Sequence, residues 1–151
     1  MTNTTDFNRI STYPTPKESP GFLLWRVSIR WRRAIETALK PFDLTHPQFV
    51  ILATTGWLTK EGQKISQLDV SRLSGIDPNT ISQILRGLQA KGLINRYHSH
   101  NEKGKNPNLT PEGVGRLSKA LPAVEEADAK FFASLENEGE GFLMGLRKLV
   151  E

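Results

Sequence analysis

The sequence predicts a mainly α-helical protein with one small β-hairpin. Apolar residues recur at helical spacing in residues 20–90 and again after residue 110, and capping residues separate these stretches. In residues 93–110 the pattern shortens to that of two strands joined by a polar, glycine-containing turn. With 151 residues, of which 37% are hydrophobic and 24% charged, the chain has the composition of one globular domain with its own core.

The first predicted helix spans residues 19–40, from the start signal Ser19-Pro20 to the residue before Pro41. Its apolar residues form two neighbouring rows: Phe22, Trp25 and Ile29, and Leu24, Val27, Trp31, Ile35 and Ala38. An arc this wide predicts two burials, one in the domain core and one against a partner subunit. Residues 1–18 are rich in Thr, Ser, Asn and Pro and predict a flexible arm without a core.

The next two helices begin at recognisable caps. Thr45 starts an apolar core helix, and Ser66 starts a short helix in which Leu68 and Leu73 are expected to face inward. Gly75 ends this short helix with a tight turn.

The fourth helix begins with Asp77 as cap and Pro78 in its first position, and it ends at Gly92. Its buried stripe is predicted to contain Ile81, Ile84, Leu85 and Leu88. Two short helices joined by a glycine turn are typical of a helix-turn-helix.

The remaining chain predicts the hairpin and two further helices. The strands are expected in residues 93–100 and 106–110, and a long helix follows that Pro122 should kink or divide. A glycine-rich break at residues 136–141 precedes a short apolar helix. We expect the dimerisation helices to lie in two segments, residues 19–40 and residues 111–150.

Composition excludes several classes of protein. The chain has no cysteine, which excludes disulfides, thiolate metal sites and a cysteine nucleophile and fits a reducing cytoplasm. No apolar run approaches the roughly 20 residues of a membrane span, and the first residues lack the features of a signal peptide. We find no motif for an enzyme, a cofactor or a phosphate-binding loop.

The positive charge is concentrated in the middle of the chain. Residues 63–110 contain seven Lys and Arg against three Asp and Glu, whereas residues 111–151 contain five against eight. A basic surface is expected of a phosphate-binding protein, although a solvated surface would explain the same balance.

The fourth helix has hydrogen-bonding side chains opposite its buried stripe, namely Asn79, Thr80, Ser82, Gln83 and Arg86. Asn and Gln can pair with adenine edges, Arg with guanine, and Ser or Thr with bases or phosphates. The N-terminal residues of a recognition helix contact bases in this way. Helix capping and a polar outer face would also account for these residues.

A basic hairpin tip with Lys103 and Lys105 follows this helix, so the element order is that of a winged helix-turn-helix DNA-binding core. The run "LSGIDPNTISQILRGLQAKGLINR", the later "LTPEG" and the upstream "LTHPQFVIL" resemble the MarR family of bacterial transcription regulators. The likeness covers roughly residues 20–150 in element order.

This resemblance implies a homodimer, joined by its first and last helices, that binds palindromic operator DNA and often releases it when a small, often aromatic anion binds. The DNA-binding lobe would span about 45–110 within a domain of residues 19–151. The candidate DNA contacts are Ser66, Pro78, Asn79, Thr80, Ser82, Gln83, Arg86, Asn101, Lys103 and Lys105. The candidate effector pocket is formed by Trp25, Ile29, His46 and Phe49.

The hairpin departs from the family pattern, which has Asp-x-Arg eight residues before the Leu-Thr pair. Here Asn101, Glu102 and Lys103 occupy those positions, and Arg96 would face the neutral Asn101. Lys103 keeps the positive charge but lacks the planar fork of arginine.

Other interpretations remain open. His98 and His100 could share a metal, but with no cysteine and no third ligand nearby the sequence favours two surface histidines near DNA. The three tryptophans could line a ligand pocket or pack in the core or the dimer interface. Two other functions are also compatible with the sequence: a DNA-binding architectural or partner-recruited protein without an effector, and a winged-helix module that binds protein.

Overall fold

The computed structural model describes residues 4–98 and 105–151, with only the backbone described for Tyr97, His98 and Lys105. The described residues form seven α-helices, three short 3-10 turns and one two-stranded antiparallel sheet. The elements are α1 (Phe7–Ile10), α2 (Pro20–Leu39), α3 (His46–Thr59), α4 (Gln67–Ser74), α5 (Pro78–Ala90), β1 (Ile94–His98), β2 (Lys105–Leu109), α6 (Pro111–Phe132) and α7 (Gly139–Val150). No described helix is both long and apolar enough to cross a membrane.

The chain forms two compact units that divide between Arg33 and Ala34, within α2. The first unit contains α1 and the first part of α2, and none of its described side chains is fully buried. The Ser19 hydroxyl accepts a hydrogen bond from the Phe22 N–H at 3.3 Å, as the predicted cap requires. The second unit contains all the remaining elements.

The core of the second unit lies around α3, which contacts α4, α5, α6 and β2. Its largest fully buried side chains are Ile35, Leu39, Ile51, Leu52, Thr55, Val70, Ile81, Leu85, Leu88, Leu93, Ile94 and Pro107. The predicted helix-turn-helix is present, because α4 and α5 follow each other and both pack on α3.

The helix caps agree with the sequence. Thr45, Ser66, Asp77 and Thr110 each accept a backbone N–H from the third residue of the helix that follows. Gly75, with φ +74°, ends α4 in the left-handed region, which glycine adopts without steric cost. These caps satisfy donors that the first turn of each helix otherwise leaves unpaired.

The hairpin is held at its base by the start of α6. The strands pair from Ile94 with Leu109 to His98 with Lys105. The Thr110 N–H donates to the Leu93 carbonyl at 3.1 Å, and the Thr110 hydroxyl donates to the Gly92 carbonyl at 2.6 Å. The base of the wing is therefore hydrogen-bonded to the start of α6 through Thr110.

The prediction that Leu68 and Leu73 face inward is wrong. They are 47% and 54% exposed, whereas Val70 is fully buried. Gln67, Ser71 and Ser74 share the partly buried face of α4 with Val70, at helical spacing of three and four residues. The two leucines lie outside this face. The contact of α4 with the core is made through Val70 and its small polar neighbours.

Two predictions about the C-terminal helices need correction. Of the two outcomes expected at Pro122, division of the long helix is excluded, because α6 continues through it to Phe132, and a kink stays a prediction. The predicted break is present at Glu136, whose φ is +49°, but Gly139 and Gly141 already belong to α7.

Candidate nucleic-acid interface

Helix α5 has two chemically distinct faces. Ile81, Leu85 and Leu88 are fully buried, and Ile84 is partly buried. The opposite side exposes Pro78, Asn79, Thr80, Gln83 and Arg86, with Ser82 half-buried beside them. The helix is therefore held rigidly by one face while its hydrogen-bonding side chains point to solvent, as major-groove reading requires.

The first turn of α5 is fixed by a carboxylate. Asp77 accepts the Thr80 N–H at 3.0 Å and also the Thr80 hydroxyl. These two bonds, the hydroxyl first, hold the pKa of Asp77 below its ordinary value, so Asp77 is anionic at neutral pH. Because Thr80 already uses its hydroxyl proton, it can offer a DNA molecule only its acceptor lone pairs.

The hydroxyl of Ser66 is likewise engaged in hydrogen bonds, here with Asp69 at the start of α4. Its N–H and its hydroxyl donate to Asp69 at 2.8 and 2.9 Å, and its oxygen accepts the Asp69 N–H at 3.2 Å. These bonds, with a smaller contribution from Arg72, lower the pKa of Asp69 against the opposing effect of burial. Ser66 is thus a structural cap, and its predicted role as a DNA contact stays a prediction.

Arg96 joins the wing to α5, a role the sequence did not indicate. Its Nη2 lies 3.4 Å from the Ser82 hydroxyl oxygen, and its Nε is buried without a hydrogen-bond partner in the described part of the chain. Burial, and then the neighbouring charge of Arg86, lower the pKa of Arg96. The sequence had marked Arg96 only through its expected partner Asn101.

The predicted wing contacts lie largely beyond what the structure describes. Asn101 and Lys103 fall outside the described residues, as does His100. For Lys105 and His98 only the paired backbone is described. Their roles therefore stay predictions. Residues 4–98 and 105–151 contain no group of three or more His, Asp or Glu side chains that could hold a metal.

The four predicted effector residues differ in their surroundings. Trp25 is exposed and Ile29 half-buried in the first unit. In the second unit His46 is half-buried in the first turn of α3, whereas Phe49 is a core residue. Whether the four form one pocket stays a prediction.

The second unit contains a different cavity that the sequence did not indicate. A groove of about 500 Å³ lies between the end of α3, β2 and α6. Its walls are mainly apolar, from Leu109, Leu117 and Leu121, and Lys60 lies at its edge. The Lys60 Nζ is 3.4 Å from the ring centre of Trp57. The residues that line the groove come from the end of α3, β2 and α6, so no local sequence pattern could indicate it.

A helix-turn-helix with a polar outer face, followed by a two-stranded wing, defines the class of winged-helix DNA-binding transcription regulators. The sequence profile of the MarR family matches residues 44–103, which contain the helix-turn-helix and the first wing strand. The chain belongs to the MarR family, whose members are transcription regulators and not enzymes.

Three relatives illustrate the similarity. The transcriptional regulator YdcH of Bacillus subtilis is 37% identical over 93% of this chain and 96% of its own length. The repressor Rv2887 of Mycobacterium tuberculosis is 30% identical over 76% of this chain and 81% of its own. The structure of Rv2887 with DNA has a TM-score of 0.65 at 27% identity, covering 87% and 97% of the two chains. The structure of BpsR of Bordetella bronchiseptica has a TM-score of 0.81 at 25% identity and covers 93% of this chain and 99% of its own. The DNA binding of BpsR is regulated by 6-hydroxynicotinic acid.

Proposed function

We propose that this protein is a cytoplasmic, homodimeric repressor that binds a palindromic operator and leaves it when a small molecule binds. The observation that carries the proposal is the two-faced helix α5, whose exposed side presents Asn79, Gln83 and Arg86 next to a wing. Rv2887 is a repressor with a DNA-bound structure, which supports the same use of the fold here.

Exposed apolar side chains support a dimer. On α7, Leu149 and Val150 are 80% and 86% exposed, and Leu143 and Met144 are about half exposed. Helix α2 exposes Leu24 and Trp25 in the first unit. A twelve-residue helix such as α7 is marginally stable in water unless something covers its apolar face. A second copy would cover both helices with a self-complementary two-fold interface.

Such a two-fold axis would set the spacing of the two α5 helices. A dimer reads two half-sites when its recognition helices are about 34–36 Å apart, one turn of DNA. A ligand that prefers another arrangement would shift the population away from this spacing, whereas equal affinity for both arrangements would shift nothing.

A small aromatic or anionic effector is the proposed signal. BpsR responds to 6-hydroxynicotinic acid, and Rv2887 has a structure with salicylic acid. Trp25, Ile29, His46 and Phe49 stay the candidate residues, and the apolar groove lined by Lys60 is one of the described cavities of suitable size.

DNA selection by the purified protein from random fragments tests the proposal. Asn79→Ala or Gln83→Ala should weaken the selected site by about 1–3 kcal/mol for each lost paired contact, and random DNA much less. Gln89→Ala is the matched control, because Gln89 is exposed at the other end of the same helix. Equal losses on selected and random DNA would make Asn79 and Gln83 backbone contacts.

Removal of residues 140–151 tests the assembly. The truncated protein should sediment as a monomer, or fold poorly, and lose operator affinity. Leu149→Lys is a milder companion, because it places charge on the exposed apolar face without shortening the helix. A truncated chain that is folded, monomeric and fully able to bind would contradict the dimer.

The other two functions have distinct signatures. A protein-binding module would select no DNA. An architectural or partner-recruited DNA-binding protein would select DNA but would not be released by any compound in a screen of aromatic acids.

A further inference from the structure

The surface between α5 and the first wing strand has two positive charges, and the described residues provide no ion-pair partner for either. Arg86 is exposed on the outer side of α5, and Arg96 reaches the same helix from β1. In the described part of the chain no ion pair joins either guanidinium to a carboxylate. Of the carboxylates that the structure describes, Asp77 is engaged as the cap of α5 and Glu112 pairs with Arg116.

The contacts of Arg96 are incomplete. Its hydrogen bond to Ser82 is long, at 3.4 Å, and its Nε donor is buried without a partner in the residues that the structure describes. A buried donor without an acceptor destabilises the folded protein, and a second positive charge nearby adds repulsion. The lowered pKa of Arg96 reflects the same two causes, burial and Arg86. Burial and repulsion together make the unbound arrangement costly.

We propose that Arg86 and Arg96, with the Ser82 hydroxyl, bind one phosphate group of the DNA backbone. This inference rests on the proposed function, since it requires that α5 approaches DNA. A phosphate oxygen would accept hydrogen bonds from the terminal guanidinium nitrogens of Arg96 and Arg86, neutralise the repulsion between the two arginines and keep the wing docked on α5. Arginine suits this task because its planar fork donates two parallel hydrogen bonds to a phosphate.

The site gives the two halves of the DNA-binding lobe a shared contact. Ser82 and Arg86 belong to the helix that would enter the major groove, and Arg96 belongs to the wing. A phosphate held by both would fix the angle between wing and helix. Phosphate contacts of this kind fix the register of a protein on DNA and carry no sequence information.

The first test is the salt dependence of binding to DNA that the wild-type protein selects. One phosphate contact contributes about 1 to the slope of log affinity against log salt, so Arg96→Gln should lower the slope by about 1. Between 50 and 200 mM salt the variant would then lose about fourfold less affinity than the wild type. Arg96→Lys should retain the slope, because it keeps the charge.

The matched control is Arg9→Gln, which removes one exposed arginine in α1 that pairs with Asp6. Its slope should equal that of the wild type. The double variant Arg86→Gln, Arg96→Gln should lose less than the sum of the two single losses, since both arginines contact one phosphate. An Arg96→Gln protein with unchanged slope would make Arg96 a structural tether of the wing and overturn the site.

The second test needs no substitution. The Nε–H resonance of Arg96 in the folded wild type should shift when a duplex is added. Inorganic phosphate at matched ionic strength shows whether the free anion also binds. A resonance that shifts with inorganic phosphate and not with DNA would overturn the assignment to the DNA backbone. Failure of the wild type to select any DNA would instead refute the proposed function.

Discussion

Replacement of Gly113 by alanine should destabilise the base of the wing. A Cβ atom at Gly113 would lie 2.0 Å from the carbonyl oxygen of Leu93 and 3.0 Å from its carbonyl carbon. Both atoms belong to the backbone and cannot rotate away. The same oxygen accepts the N–H of Thr110 at 3.1 Å, so relief of the clash would disturb the contact that joins the wing to α6.

The expected magnitude follows from two opposing effects. Overpacking a buried position costs about 1–3 kcal/mol, and an overlap of this size against backbone belongs at the upper end of that range. Replacing a helical glycine with alanine returns about 1 kcal/mol of helix propensity. The free energy of unfolding should therefore fall by about 2 kcal/mol.

Gly115→Ala is a control in the same helix. A Cβ at Gly115 would meet no atom within 4 Å, so this change should stabilise the protein by about 1 kcal/mol. Urea unfolding at one fixed protomer concentration measures both variants. If both substitutions shift the midpoint in the same direction, the close approach of Gly113 to Leu93 does not govern stability.

Three further predictions concern caps, wing and helix continuity. The lowered pKa values of Asp69 and Asp77 predict that their capping contribution to stability is complete above their ordinary pKa near 3.8. This contribution is lost as the pH falls through the lower folded-state pKa. Circular dichroism against pH measures the loss, and Asp77→Asn should flatten the profile. Neutralising Lys103 and Lys105 together should lower the salt slope of DNA binding by about 1 for each lysine that contacts phosphate, and an unchanged slope would remove the wing tip from the interface. Pro122→Ala should raise the free energy of unfolding, by at most about 3 kcal/mol, because it restores a helical hydrogen bond; a decrease would show that α6 requires the proline.

The order and the starts of the helices could be predicted because local chemistry decides them. Ser19, Thr45, Ser66, Asp77 and Thr110 all cap the helices that they were expected to begin. Each cap depends on a side chain and a backbone N–H three residues later, so a short sequence window contains the whole interaction. Family resemblance strengthened the same prediction for the element order.

The errors arose where tertiary packing outweighs local pattern. Leu68 and Leu73 were placed inside because leucine is usually buried, yet the face of α4 that contacts the core is set by Val70. Division of the helix at Pro122 was one of two expected outcomes, and α6 is instead continuous there, with Ala120 and Val124 buried on either side of the proline.

The site itself was predictable only as a set of exposed side chains. Asn79, Gln83 and Arg86 follow from the spacing of the buried stripe in α5. The contact between Arg96 and Ser82 joins residues 14 positions apart in different elements, and a periodic pattern gives no sign of such a contact.

Helix α6 would be the physical link between the proposed DNA-binding surface and the proposed dimer contacts of α7 in the second unit. Its first turn holds the base of the wing through Thr110 and Gly113, and its end contacts the 3-10 turn that leads into α7. Its 22 residues span about 33 Å at 1.5 Å per residue. Because α6 is one continuous helix, we expect a displacement of its C-terminal end to move the base of the wing as well. Pro122 removes one backbone hydrogen bond near the middle of α6, so we expect α6 to bend most readily there. Such bending would weaken the coupling between the wing and the C-terminal end of α6.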